Sequence, residues 1–259
     1  MRLILYLFCI WNCIVIEIVS ADFIHSSEKI DARCGTTIVN LNSRYFIIAG
    51  GDNGESVVSS YNIYDNQTDK WTIVPMKTGR TGLVSASTMG VAYFAGGESG
   101  QPGSGLYPKS VEMIFDNETQ WIPRSNYSLQ AGRLQMSAIS VNNLVIFAGG
   151  ASSVGYYSGV DILSPVRQAV SMNLKVARSN MAVAARNNLA FFAGGRSKDG
   201  YSNVVEVLNT TDPDAMTWLL LPNLTVARAD FTATTTSQYG TNLNILTHFS
   251  SVLCRRQNG

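Results

Sequence analysis

Ala92-Tyr93-Phe94-Ala95-Gly96-Gly97 is an apolar run closed by two glycines, and the chain carries this pattern four times. The other copies are Phe46-Ile47-Ile48-Ala49-Gly50-Gly51, Val145-Ile146-Phe147-Ala148-Gly149-Gly150 and Ala190-Phe191-Phe192-Ala193-Gly194-Gly195. Successive pairs lie 46, 53 and 45 residues apart, a period typical of architectures whose single unit cannot bury its own apolar face. Arg80, Arg133 and Arg178 each stand 16 residues before a pair, at Gly96, Gly149 and Gly194, and Arg228 opens a further unit. From each pair to the next arginine the spacing instead varies between 28 and 36. A constant stretch followed by a variable one reads as a tight hairpin followed by loops of adjustable length.

Each glycine pair is followed by a polar loop and then an apolar segment with an acidic residue: Tyr64-Asp65, Phe115-Asp116, Val160-Asp161 and Val205-Glu206. A tryptophan comes next at Trp71, Trp121 and Trp218, and the third unit has none. The units are rich in β-branched and aromatic residues and read as four short strands each. In the second unit the expected strands are 83–88, 91–95, 110–115 and 120–123. The alanine-rich stretch 176–192 has helical propensity. Its register with 81–94, however, puts Asn187-Asn188 where the other units have Gly90 or Asn142-Asn143, so a hairpin turn is expected there. Four-stranded sheets at this period fit an all-β propeller, whose blades cover one another's apolar faces. The innermost strands should be small, as Ser85-Ala86-Ser87, Ser137-Ala138-Ile139 and Ala182-Val183-Ala184 are. Glycine lacks a Cβ, so each pair permits positive φ and close backbone approach.

Double glycine, aromatic-acidic pair, later tryptophan and arginine before the next inner strand together resemble the kelch repeat family. The resemblance covers nearly the whole chain after residue 21 and gives Gly50, Gly51, Gly96, Gly97, Gly149, Gly150, Gly194 and Gly195 structural roles in the repeat. It gives the same kind of role to Trp71, Trp121, Trp218, Arg80, Arg133, Arg178 and Arg228. The repeat units are 34–79, 80–132, 133–177, 178–227 and a partial 228–259. The last unit departs from the pattern, with His248-Phe249 where two glycines belong. The expectation is thus a kelch-type β-propeller of four full blades plus a partial fifth. Residues 23–33 resemble an outer strand with its following arginine, which would complete a fifth blade from the other terminus. Kelch propellers usually have six or seven blades, which leaves an incomplete ring as the other reading. An open ring would expose an apolar blade face.

Composition sets the remaining limits. Of 259 residues 46% are apolar, enough for a full core, and the net charge of +1 comes without any basic or acidic run. Neither nucleic acid nor an anionic membrane is therefore expected as partner. Residues 1–21 read as a secretory signal, with Arg2, an apolar run from Leu3 to Ile16, and Val19-Ser20-Ala21 for cleavage. Glu17 ends that run short of the ~20 residues that span a bilayer, so no membrane span is expected after cleavage. A secreted, extracellular or luminal location follows. Cys9 and Cys13 leave with the signal; Cys34 and Cys254 then form one bridge or stay as two thiols. Five Asn-x-Ser/Thr sequons mark glycosylation candidates at Asn66, Asn117, Asn126, Asn209 and Asn223. Asn66, Asn117 and Asn209 are expected in outer turns, Asn126 and Asn223 in the connections to the next unit.

The resemblance implies partner binding on the face built by the loops after the glycine pairs, here 52–55, 98–107, 151–157 and 196–201. Tyr107, Tyr156, Tyr157 and Tyr201 are expected to be exposed there, with Arg196, and the repeat arginines to lie at the inner edge of the face. The protein is read as a binding module for a protein or glycan. The alternative is an extracellular oxidase resembling galactose oxidase, or a hydrolase fragment, lacking its catalytic half. Such oxidases hold copper with His and Tyr ligands, whereas this chain has only His25 and His248. No cofactor or metal is expected, and Glu98, Asp161 and Glu206 show no pairing that argues for sugar hydrolysis.

Overall fold

The computed structural model describes residues 32–116 and 121–234, and the backbone of two further strands, Ile4–Ile10 and Cys13–Val19, which pair antiparallel with each other. The described residues contain no helix. Four four-stranded antiparallel sheets follow one another along the chain. The first has Thr37–Leu41, Tyr45–Ala49, Ser60–Asp65 and Lys70–Pro75 from the inner to the outer strand, and the second Val84–Thr88, Val91–Ala95, Ser110–Phe115 and Arg124–Ser128. The third has Ser137–Val141, Leu144–Ala148, Gly159–Ser164 and Arg167–Asn173, and the fourth Ala182–Arg186, Leu189–Ala193, Val205–Asn209 and Thr217–Leu220. No helix replaces the last hairpin: Asn187 takes φ +52° in the turn, a conformation that asparagine tolerates better than most residues.

The cores lie between sheets. Val39, Ile47, Ile63 and Val74 of the first sheet meet Ala92, Phe94 and Ile114 of the second. Tyr93 and Met113 of the second meet Val145 and Phe147 of the third. Ile146 and Ile162 of the third meet Ala190, Phe192 and Leu208 of the fourth. Inner strands stand beside one another in chain order, and their small side chains bond across: Thr37 Oγ1 and Ser85 Oγ are 2.6 Å apart, and Ser137 Oγ donates to Met181 O at 2.9 Å. The arrangement is consistent with a propeller-like fold.

Each repeat arginine ties two sheets together. Arg80, Arg133 and Arg178 are fully buried in the connections that enter the second, third and fourth sheets. Their guanidinium groups reach the third strand of the sheet ahead: Arg80 Nη2 to Glu112 Oε1 at 2.8 Å, Arg133 Nη2 to Asp161 Oδ2 at 2.6 Å, Arg178 Nη2 to Glu206 Oε2 at 2.5 Å. Backbone carbonyls take most of the remaining donors, as Ser110 O does from Arg80 and Gly149 O from Arg133, both at 2.7 Å. The amide three residues before each arginine donates to the same carboxylate: Lys77 to Glu112, Gln130 to Asp161 and Lys175 to Glu206. Desolvation of both charges is thereby offset by a nearly complete hydrogen-bond shell, with Arg178 Nε the one buried guanidinium donor of the three arginines left without a partner. Burial pulls the Arg178 guanidinium below its usual pKa, and Glu206 pulls the other way.

The arginine carbonyl points backward, to the preceding glycine pair. Gly51, Gly97, Gly150 and Gly195 donate N–H to Arg80, Arg133, Arg178 and Arg228 O at 2.8 to 3.0 Å. At Gly96 (φ +65°) a Cβ would fall 2.6 Å from Arg133 O, and at Gly97 (φ +86°) one would fall 2.7 Å from Thr81 O. The first glycine thus faces the next sheet's arginine segment and the second faces its own, which is why the repeat needs two.

Two expectations are corrected here. The outer strand of the second sheet is Arg124–Ser128 rather than 120–123. Trp121 turns into the seam with the first sheet, edge-on to Tyr45 at 4.9 Å, and the strand starts beyond Pro123, which has no N–H to give a ladder. The acidic residues of the repeat occupy two different places: Asp161 and Glu206 hold the arginine, while Asp65 and Asp116 lie at the far end of the sheet. The missing member of the first set is Glu112. In the first sheet Asn62 takes this place, accepting from the buried Arg33 at 2.5 Å. Residues 23–31, Asn117, His25, His248 and the chain from 235 onward, Cys254 among them, lie outside the described residues. Cys34 is not a free thiol.

Replacing Gly97 by Ala should lower stability by about 2–4 kcal/mol through a forced left-handed φ and overpacking. Gly103→Ala, whose Cβ meets nothing within 4 Å, should lose only about 1 kcal/mol, both read by urea denaturation. Arg133→Met should cost about 3–5 kcal/mol by stranding Asp161, and Arg133→Met with Asp161→Leu should cost less than the single change. Arg44 donates to Asp65 at 3.0 and 2.8 Å, and these bonds, with those from Gln67 and Thr68, hold the Asp65 carboxyl well below the usual range. Its stabilising effect is therefore complete above roughly pH 4 and is lost as pH falls below that. The Tm gap between wild type and Asp65→Asn should shrink from pH 7 to pH 2.

Candidate loop-face site

Antiparallel pairing puts the four post-glycine loops at one end of the sheets. Each is anchored at its base by a bridge to the segment after the arginine: Cys34 with Asp52, Thr81 with Glu98, Leu134 with Ala151 and Ser179 with Arg196. The last two loops are small hairpins, Ala151–Ser152 with Gly155–Tyr156 and Arg196–Ser197 with Gly200–Tyr201. The opposite end carries the turns within each sheet.

The expected contact residues do not form one exposed ring. Tyr201 is 58% exposed, and Arg196 is exposed beside it, its guanidinium 5.1 Å from the Tyr201 ring centroid and Nη2 donating to the Tyr201 hydroxyl at 3.0 Å. That bond, with the nearby Asp230 carboxylate, raises the Arg196 pKa. Tyr107, Tyr156 and Tyr157 are half-buried, a correction with a local cause in two cases. The Tyr107 backbone packs on Gly132. The Tyr157 hydroxyl pairs with Ser152 at 3.0 Å while its ring lies 6.0 Å from the Arg133 guanidinium. Arg80, Arg133 and Arg178 are buried in the frame rather than offered at the inner edge, and Arg228 is half-buried.

The inner edge is formed instead by the residue two after each arginine. Gly35, Gly82, Gln135, Asn180 and Asp230 all have φ between +53° and +67°. They are linked by Gly82 N–H to Gly35 O at 2.8 Å, Asn180 N–H to Gln135 O at 3.0 Å and Asp230 N–H to Asn180 O at 3.2 Å. Asn180 donates an amide hydrogen to the Asp230 carboxylate and accepts from Ser179 Oγ at 2.8 Å. One side of this edge is bare glycine backbone, and the other carries two amides and a carboxylate. The sequence reading gave these positions no role; the constant offset of two from every arginine was the available signal.

Three acidic groups considered for hydrolysis are engaged structurally. Asp161 and Glu206 hold arginines, and Glu98 accepts from Gly103 and Gly105 of its own loop at 2.9 and 2.7 Å. Among the described residues no three His, Cys, Asp or Glu side chains come together as a metal site, and no helix is long and apolar enough to cross a membrane. Of the sequons, Asn66 is exposed in the outer turn of the first sheet and Asn209 is the half-buried last residue of its strand. Asn223 is exposed in the connection after the fourth sheet. Asn126 is an exposed residue of the outer strand of the second sheet, not of a connection, because that strand begins late.

No protein-family model matches the chain, and no curated protein matches it in sequence. A solved structure titled "Structure of YjhT" is similar in fold, with a TM-score of 0.63 over 79% of this chain and 70% of that one at 15% identity. The likeness places the chain among β-propeller-like folds.

Alanine at Arg196 or Tyr201 should change stability by no more than about 0.5 kcal/mol, since neither supports the frame. A thermal melt checks this, and a large drop in Tm would return both residues to a structural role.

Proposed function

We propose that the chain is a secreted glycoprotein with a kelch-type propeller that acts as a binding module through its loop face, toward a protein or glycan partner. The observation that carries this reading is the contrast between frame and face. Buried arginines, carboxylates and glycines fix the base of every loop, while Arg196, Tyr201 and the polar edge of Gln135, Asn180 and Asp230 project from that base. Rigidly held aromatic and arginine side chains beside adaptable amides are a common composition for recognition surfaces. The apolar start at residues 1–21 supports secretion, and Asn66 and Asn209, at the opposite end of the sheets, can carry glycans without covering the loops.

Expression of the full chain in cultured eukaryotic cells tests both parts. The protein should reach the medium, shift on glycosidase digestion, and lose one step of that shift in Asn66→Gln. Immobilised wild-type protein should retain extracellular proteins or arrayed glycans that Arg196→Ala with Tyr201→Ala no longer retains. Intracellular retention of an unglycosylated chain, or identical capture by both proteins, would overturn the reading.

A further inference from the structure

The fourth sheet is the last of the described array, yet its far face is not open. Register places Ala184, Phe191, Val205 and Val207 on the side turned away from the third sheet, where no described strand packs. Phe191 is nevertheless only 9% exposed, Val205 3% and Val207 1%. The chain leaving this sheet also begins a new unit in the manner of the earlier ones. Phe231 sits against Gly194 as Met136 sits against Gly96 and Met181 against Gly149. Leu224, four residues before Arg228, repeats the place of Leu174, four before Arg178, which belongs to the core of the preceding seam. Phe231 and Leu224 are held at the loop end, beside Gly194 and Asn203, and are themselves half-buried.

At the start of the array Cys34 follows Arg33 and exchanges both backbone bonds with Asp52 at 2.8 Å. Its half-buried side chain is in a disulfide. The chain's other cysteines are Cys9, Cys13 and Cys254, and the first two fall in the segment read as a secretory signal.

We propose that residues 235–249 cover the far face of the fourth sheet as a further hairpin and that a Cys34–Cys254 disulfide binds this cover to the first sheet, a reducible latch across the two ends of the array. In the first three units the second glycine of the pair donates its N–H to the arginine carbonyl of the unit that follows. The same step taken from His248-Phe249, which stand at the pair position, leads round to Arg33, the residue before Cys34. From Phe249 to Cys254 is five residues, a reach of at most about 17 Å. The stretch Asn242-Leu243-Asn244-Ile245 alternates polar and apolar residues, a pattern that offers one apolar face to Phe191 and Val207. Closing the latch passes two electrons and two protons to a disulfide oxidant of the secretory route. One cysteine thiolate opens the oxidant to a mixed disulfide, the other displaces its second thiol, and a dithiol reductant reverses both steps.

The choice of Cys254 rests on the secretion reading, through removal of residues 1–21, and the test reads the two separately. The full chain is expressed in cultured eukaryotic cells, recovered from medium or cells, alkylated without reduction, digested and mapped by mass spectrometry. A peptide joining Cys34 to Cys254 is expected, on a chain that begins after residue 21. Reduction of the native protein should lower Tm by about 10 °C and raise the fluorescence of an apolar-surface dye several-fold as Phe191 and Val207 are uncovered. Cys254→Ser should reproduce both changes and respond no further to reductant; should that variant fail to fold, reduction of the wild type decides. A cleaved chain with free thiols at Cys34 and Cys254, a disulfide-linked dimer, or a Tm and dye signal indifferent to reduction would each overturn the latch alone. A peptide joining Cys34 to Cys9 or Cys13 would overturn the latch and the secretion reading together.

Discussion

A buried arginine that faces a carboxylate of the sheet ahead and gives its carbonyl to the glycine of the sheet behind is the constraint on which this protein is built. Removing a guanidinium and a carboxylate from water is expensive unless nearly every donor and acceptor finds a partner. Here the surrounding backbone supplies them: carbonyls of the third strand and the glycine pair for Arg80, Arg133 and Arg178, and an amide three residues upstream for each carboxylate. Such a site tolerates little displacement. It holds the connecting segment, the end of the second strand and the start of the third together, which accounts for the invariant 16 residues from arginine to glycine.

The same constraint separates what can vary from what cannot. Inner strands that touch across the array must carry small or hydroxylated residues, and the seams between sheets are filled by alternating large apolar side chains. Beyond the anchored base, each loop is free to differ in length and chemistry, and the second loop uses that freedom to bind its own amides with Glu98. Exposed and half-buried side chains that take no part in the frame therefore collect at the loop end, at Arg196 and Tyr201, and along the edge formed by Gln135, Asn180 and Asp230.

Much of the fold was legible in the chain because its signals are local and repeated. Four glycine pairs, fixed arginine offsets and turn asparagines were enough to place the strands, and to read 176–192 as a hairpin against its alanine-rich propensity. Spacing alone did not show which carboxylate meets which arginine. Asp65 and Asp116 share an aromatic neighbour in sequence with their place in the pattern, yet the partner of Arg80 is Glu112, displaced by a longer loop to 32 residues from its arginine where the later units use 28. The late start of the strand at Arg124 escaped notice because Trp121 serves the neighbouring sheet, a contact absent from the sequence of its own unit. The exposure of Tyr107 and Tyr157 was misread because their cover, Gly132, Ser152 and Arg133, lies apart in sequence or packs only once the loop is folded.

By itself the sequence determined the all-β repeat, its period and the positions where only glycine fits, since these follow from backbone sterics and side-chain periodicity within one unit. Tertiary structure alone decided which side chains are spent on joining sheets and which stay outside that frame. That division depends on contacts between units, where the same arginine can be frame or face according to what the neighbouring sheet offers it.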